Sequence, residues 1–140
     1  MTDKKVLFIF PAITYGGAER WLLEVLGGLN RRKFEVGLCL IDYKHKINDG
    51  QYFWDRFPGD VKVYQVPIEG RMRANFLRVL FEVGRFVKEY DLIVAGMRLM
   101  PALIPFIVAK IMRKKIITVM HWHYSLMRKG SSLEGVFKPV

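Results

Sequence analysis

The fold is decided by residues 6–20, VLFIFPAITYGGAER. The apolar run over residues 6–10 predicts a strand that is buried on both faces, because it is apolar throughout and does not alternate with polar residues. A short loop follows, and apolar residues at helical spacing begin at Trp21. A strand, a glycine loop and a helix present backbone N–H groups to an anion, since glycine has no Cβ to hold a ligand away. We therefore expect a phosphate or carboxylate site over Gly16 and Gly17.

The glycine pair fits neither of two common phosphate-binding motifs. Residues 16–20, GGAER, lack the Gly-x-Gly-x-x-Gly spacing of a dinucleotide site and the Gly-Lys-Ser/Thr end of a P-loop. Taken alone, the pair also fits the tight entry to a packed helix. The pattern of the whole chain has to decide between these interpretations.

Composition indicates a globular domain with basic character. A length of 140 residues, 51% of them hydrophobic, is typical of one domain or of part of a larger one. The net charge of +10 favours polyanionic partners: nucleic acid, an anionic membrane surface or phosphorylated substrates. The single cysteine, Cys39, lies in an apolar run, which predicts a buried core residue and a reduced, cytoplasmic setting. The longest apolar run, residues 99–109, falls short of a membrane span, and residues 6–10 are too short for a signal peptide.

Predicted strands alternate with predicted helices along the chain. Pro67 is expected to end the third strand. The long third helix has a predicted buried stripe of Phe76, Val79, Leu80, Val83 and Val87. Leu77 and Phe81 lie beside this stripe in the pattern and are expected to widen it. The predicted strands cover residues 6–10, 34–41, 61–66, 92–95 and 116–120, and the predicted helices cover residues 18–30, 52–57, about 69–89 and 101–113.

This alternation predicts an α/β fold with a Rossmann-like, doubly wound parallel sheet. Right-handed crossovers give the strand order 3-2-1-4-5, with the switch point between strands 1 and 4. Ligands bind such sheets beyond the carboxyl ends of the strands at the switch point. Three loops are expected to converge there, at residues 11–17, 96–100 and 121–125.

Residues 16–20, placed directly after a first strand, resemble the Gly-Gly-Ala-Glu-Arg signature of the GT4 family of retaining glycosyltransferases. The resemblance covers about residues 4–125 and implies the N-terminal, acceptor-side half of a GT-B fold. The donor-binding half, with its Glu-x7-Glu motif, is absent from residues 1–140, so we expect a single partial domain that is inactive by itself.

The resemblance also implies roles for individual residues. Gly16 and Gly17 would approach the donor diphosphate or the transferred sugar, together with the preceding Thr14 and Tyr15. The histidine that follows the fifth strand in relatives, near the reaction centre, matches His121 in the segment Thr118-Val119-Met120-His121. His123 is the alternative, two residues further on.

Several residues have two interpretations from the sequence. Arg98, at the exit of the fourth strand, either holds a phosphate or carboxylate by a bidentate contact or faces solvent. Glu19, in a first helical turn, is expected to cap the helix. The basic face over residues 71–88 is either solvated or docks on anionic lipid headgroups with Phe76, Leu77 and Phe81 in the interface.

The resemblance implies an enzyme part that transfers a sugar from a UDP- or GDP-linked donor to a glycan or glycolipid acceptor. This is the chemistry of surface polysaccharide or glycolipid synthesis, in the cytoplasm or at the inner face of the membrane. No metal and no bound cofactor is expected, because two histidines at i and i+2 without a nearby cysteine or carboxylate are poor zinc ligands.

One alternative is a flavodoxin-like nucleotide- or phosphate-binding module without catalysis. A nucleic-acid binder ranks lower, because the sequence contains no recognised nucleic-acid motif. The donor sugar, the acceptor and the oligomeric state are not determined by the sequence.

Overall fold

The computed structural model describes residues 4–11, 13, 16–43, 51–96 and 103–119. They form one parallel sheet with helices on both faces. The strands are β1 (Lys4–Phe10), β2 (Phe34–Tyr43), β3 (Lys62–Ile68), β4 (Leu92–Gly96) and β5 (Lys115–Val119). The helices are α1 (Gly17–Gly28), α2 (Gln51–Asp55), α3 (Met72–Val87) and α4 (Leu103–Ile111).

The sheet has the strand order β3-β2-β1-β4-β5, and all of its pairings are parallel. This confirms the predicted α/β fold class and the switch point between β1 and β4. The observed elements begin and end within a few residues of the predicted ones. The first helix, for example, stops at Gly28 instead of residue 30.

The central strand β1 separates two apolar cores. Leu7 and Ile9 point to the face that α3 and α4 cover, whereas Val6, Phe8 and Phe10 point to the face that α1 and α2 cover. Both sets are buried, which explains why the run is apolar without interruption: a central parallel strand has no solvent-facing side. The predicted burial of Cys39 is confirmed, because it lies in the core beneath α3 and α4.

Two expectations from the sequence were wrong. Pro67 does not end the third strand: β3 continues through it to Ile68, and Pro67 pairs in register with Asp42. A proline is tolerated there because β3 is an outermost strand. Leu77 and Phe81 do not widen the buried stripe of α3, since both side chains are exposed.

Candidate functional site

The carboxyl end of the sheet, beside the junction of β1 and β4, is the candidate site. β1 hydrogen-bonds to β2 on one side and to β4 on the other. The chain leaves β1 toward α1 on one face of the sheet and leaves β4 toward α4 on the opposite face. The connections therefore diverge at this point, which opens a crevice in doubly wound sheets.

The glycine pair lies at the start of α1, on the same edge of the sheet as this crevice. Gly16 is the N-cap residue, in extended conformation with φ −170° and ψ 178°, and it provides no side-chain cap. Gly16 and Gly17 are both exposed, and a Cβ at Gly17 would meet no atom within 4 Å. The start of the helix is therefore open to solvent at Gly17, and it carries the partial positive charge of a helix N-terminus.

Glu19 lies against the first of the two glycines. A Cβ at Gly16 would come 2.9 Å from Oε2 of Glu19. Glu19 is the third residue of α1, the position from which a glutamate reaches back toward the N-cap in a capping box. The capping role expected from the sequence stays a prediction, and this position is the one from which Glu19 would perform it. Because a carboxylate repels a phosphate, an anion at this terminus would bind on the Gly17 side or require Glu19 to turn away.

The floor between β1 and β4 is formed by the ring of Phe10 against the backbone of Gly96. Phe10 follows Ile9, which pairs in register with Ala95, so Phe10 and Gly96 end neighbouring strands. A Cβ at Gly96 would lie 2.5 Å from Cε1 of the Phe10 ring, so only glycine fits against this ring as it is placed. Sequence reasoning placed Gly96 in a loop and missed this contact. A glycine at the end of a buried strand is nevertheless a signal of close approach.

Of the predicted site residues, the structure describes Gly16 and Gly17. The others (Thr14, Tyr15, Arg98, His121 and His123) lie outside the described residues. Gly96 and Val119, the last described residues before Arg98 and His121, are register partners in β4 and β5. The two strands therefore end side by side, at the edge that also carries the start of α1.

A cluster of charged groups lies toward the opposite, amino-terminal end of the strands. Glu35 accepts a hydrogen bond from Nζ of Lys62 at 3.1 Å and lies 3.3 Å from Nζ of Lys5. The Lys62 hydrogen bond, reinforced by the charge of Lys5, holds the pKa of the Glu35 carboxyl below its usual value. This cluster joins three neighbouring strands and is far from the switch-point edge, so it stabilises the sheet and does not contribute to the site.

Other reactive groups of the described core are also structural. Burial raises the pKa of the Cys39 thiol to about 12, so the thiolate, which is the nucleophilic form, is scarce at neutral pH. The hydroxyl groups of Tyr64 and Tyr90 are hydrogen-bonded at 3.1 Å, and burial raises the pKa of Tyr90. Within the described ranges, no group of three or more His, Cys, Asp or Glu side chains is placed to hold a metal ion.

Comparison with solved structures shows where this fold occurs. The lipopolysaccharide outer core galactosyltransferase WaaB superimposes with a TM-score of 0.63 at 17% identity, over 87% of this chain and 34% of WaaB. The UDP-GlcNAc 2-epimerase from Methanocaldococcus jannaschii gives a TM-score of 0.60 at 15% identity, over 89% of this chain and 33% of the epimerase. Anabaena HepE, in complex with UDP and glucose, gives 0.55 at 22% identity, over 82% of this chain and 29% of HepE.

These similarities establish a fold that is shared with domains of GT-B-type enzymes, and the chain spans about a third of their length. The same fold also occurs in the C-terminal domain of the PF1911 hydrogenase from Pyrococcus furiosus, with a TM-score of 0.55 at 15% identity. The alignment covers 92% of that domain. The sequence matches no protein-family model, and no curated protein sequence is significantly similar to it.

Proposed function

We propose that the chain is the acceptor-side domain of a retaining glycosyltransferase of the GT4 type, and that a second domain supplies the nucleotide-sugar donor. The observation that carries this proposal is the open start of α1 at Gly17, directly after the central strand and beside the switch point. The signature-like residues 16–20 and the fold shared with WaaB and HepE support it.

In the proposed reaction, the chain contributes binding and orientation. The Gly17 end of α1 would face the donor diphosphate, whose negative charge grows as the sugar leaves, so amides fixed there would favour the transition state. His121, or His123 two residues on, would contact the donor sugar, and Arg98 would hold a phosphate or carboxylate. The donor would be linked to UDP or GDP, and the acceptor would be a glycan or a glycolipid at the cytoplasmic side of a membrane. No bound metal or other cofactor is part of this proposal.

The sharpest test compares two glycines of the same helix in the protein that carries both domains. Gly17 and Gly27 are both exposed, and an added Cβ would meet no atom within 4 Å at either position. Alanine is therefore tolerated structurally at both, and at Gly27 in the helix interior it should stabilise α1 by about 0.5–1 kcal/mol. We expect Gly17→Ala to lower the rate of sugar transfer at least about tenfold, because the methyl group stands where the diphosphate approaches. Gly27→Ala should transfer at the wild-type rate.

His121→Ala and His123→Ala, measured in the same transfer assay, distinguish the two candidate histidines. The variant that loses the larger part of the transfer rate identifies the residue at the reaction centre. If Gly17→Ala and both histidine variants keep wild-type turnover, the assignment of this edge as the transfer site is wrong.

A nucleotide- or phosphate-binding module without catalysis is the second candidate, because the PF1911 domain, 92% of which is aligned, has this fold as a complete domain outside the GT-B-type enzymes. This candidate predicts that residues 1–140 bind a mononucleotide by themselves. Calorimetry with UDP, GDP and FMN separates the two. The transferase proposal expects weak or no binding without the donor domain, whereas tight binding of FMN would favour the module.

A further inference from the structure

The two helical layers of the protein differ in their solvent-facing surfaces. Among the described side chains, α1 and α2 expose no large apolar group, whereas α3 and α4 expose five. α3 and α4 cover the same face of the sheet and pack against each other. The five exposed side chains are Leu77, Phe81, Leu103, Phe106 and Ile111.

Leu77 and Phe81 are the exposed large apolar side chains of α3. Their side chains are 77% and 70% exposed, although both belong to residue types that are usually buried. They are four residues apart on α3, and Arg73 and Arg85 continue the same i, i+4 line in both directions. The line of Arg73, Leu77, Phe81 and Arg85, the α3 ridge, therefore has an apolar middle and a cation at each end.

The surroundings of the α3 ridge are strongly basic. Residues 71–90 and 103–114 contain eight Lys and Arg side chains and two carboxylates. One of these carboxylates, Glu82, accepts a hydrogen bond from Nη1 of Arg78 at 3.0 Å, so those two charges offset each other. Lys88 lies seven residues after Phe81, on the same side of the helix, and adds another exposed cation to the ridge.

The amino-terminal end of α3 places basic residues where the helix itself is positive. Arg71 is its N-cap residue, Arg73 follows in the first turn, and that turn contains no acidic residue. Cations at a helix N-terminus are electrostatically unfavourable, because they add to the partial positive charge of the unpaired amides. An external anion near Arg71 and Arg73 would relieve this repulsion.

We propose that the surface formed by the α3 ridge, together with the exposed apolar residues of α4, docks on an anionic lipid bilayer. Leu77 and Phe81 enter the interface between headgroups and acyl chains, while Arg73, Arg85 and Lys88 contact the lipid phosphates. This pattern of apolar residues framed by cations is typical of helices that lie in the plane of a membrane surface. None of the helices in the described part of the chain is long and apolar enough to cross a bilayer.

Charge argues against a second copy of the chain as the occupant. A symmetric contact would bring the same basic patch of two molecules together, and Arg73, Arg85 and Lys88 would face cations without compensation. The inference does not depend on glycosyl transfer, because it rests on exposure and charge alone.

Vesicle flotation of the chain tests the proposal directly, without donor or acceptor sugar. The vesicles contain phosphatidylcholine alone or an equal mixture of phosphatidylcholine and phosphatidylglycerol. We expect binding to the mixed vesicles, weakened by added salt, and little binding to phosphatidylcholine. Arg73→Gln combined with Arg85→Gln should weaken binding about 25-fold, since each basic residue at a membrane surface contributes about fivefold. Leu77→Ser with Phe81→Ser should weaken it about tenfold or more.

A charge-matched control uses Arg32→Gln with Lys33→Gln. Both side chains are exposed in the turn between α1 and β2, outside the α3 and α4 layer. This variant loses the same net charge as the arginine variant of the ridge, but it should bind mixed vesicles nearly as well as the wild type. Circular dichroism verifies that every variant is folded. Equal binding to both vesicle types would overturn the proposal, as would equal losses for the ridge and control variants. A change of oligomeric state in the Leu77 and Phe81 variant, with vesicle binding intact, would also overturn it and would show that a second copy covers the ridge.

Discussion

Gly96→Ala tests the floor of the candidate site by adding one methyl group between β4 and the ring of Phe10. The new Cβ would lie 2.5 Å from Cε1 of the ring and 2.8 Å from Cδ1 and Cζ. Non-bonded carbon atoms normally stay about 3.5–4.0 Å apart, so the ring or the strand must move by about 1 Å. Phe10 is only 3% exposed and is held in the core beneath α1, so a shift of the ring has to be accommodated by its core neighbours.

Overpacking of this kind destabilises a core by about 1–3 kcal/mol. For 140 residues, the unfolding entropy of about 2.1 cal/mol/K per residue converts this loss into a Tm that is lower by about 3–10 °C. Thermal and urea unfolding followed by circular dichroism measure both quantities. Gly27→Ala is the matched control, because the same methyl group is added in open space on an exposed face of α1 and should raise the free energy of unfolding.

A second substitution connects the loss to the ring itself. Phe10→Leu removes the atoms at the Cε and Cζ positions. Gly96→Ala should therefore lower the free energy of unfolding by at least about 1 kcal/mol less in a protein that already carries Phe10→Leu than in the wild type. If Gly96→Ala unfolds with the wild-type midpoint, or if its cost is the same in both backgrounds, then Phe10 does not pack on Gly96 as described.

Three further predictions concern the core and the charged end of the sheet. Cys39 should resist a thiol-specific disulfide reagent in the folded protein and react fully in denaturant, because it is buried and its pKa is raised to about 12; rapid labelling of the native protein would contradict this. Glu35 has a lowered pKa, so its contacts with Lys62 and Lys5 stabilise the protein above about pH 4 and are lost as the pH falls through its folded pKa. Glu35→Gln should therefore be less stable than the wild type near neutral pH, with a difference that closes on acidification; a pH-independent difference in urea titrations would refute the ion-pair account. Gly37→Ala should lower the free energy of unfolding by about 1–3 kcal/mol, because its methyl group would collide with the hydroxyl of Tyr90, and an unchanged urea midpoint would contradict this packing.

The sheet could be predicted from the sequence because its signals are local and its topology is constrained. Five apolar runs separated by helical patterns define the strands, and the right-handed crossover rule leaves few strand orders. A local rule failed at Pro67, which was expected to end its strand. The predicted order already placed the third strand at an edge, where a proline is compatible with a strand.

The sequence left two interpretations of Leu77 and Phe81, and the one that placed them beside the buried stripe of α3 failed for a different reason. Apolar residues next to a buried stripe were assumed to widen it, but at about 100° per residue Phe81 is turned about 200° from both Val79 and Val83. Spacing alone places Phe81 almost opposite the core. The sequence does not show whether another element covers that face, because this depends on how the helices pack. In the described part of the chain, no other element does.

The candidate site was predictable only in part. A glycine pair between a strand and a helix indicates an open helix start, and Gly16 and Gly17 are exposed there. The contact between Phe10 and Gly96 depends on the register of two strands that are distant in the sequence, so no local pattern could reveal it. The roles of Thr14, Tyr15, Arg98, His121 and His123 remain predictions.

The proline within β3 has a consequence for the behaviour of the protein at high concentration. An outermost strand is a template on which a foreign strand can add by backbone hydrogen bonding, and this is a common route to aggregation. Pro67 has no backbone N–H group, so the row of hydrogen-bond donors along β3 is interrupted at this residue. Edge-to-edge polymerisation through this side of the sheet is therefore disfavoured. We expect replacement of Pro67 by a β-branched residue to make the protein more prone to forming fibres, with little effect on the fold of an isolated molecule.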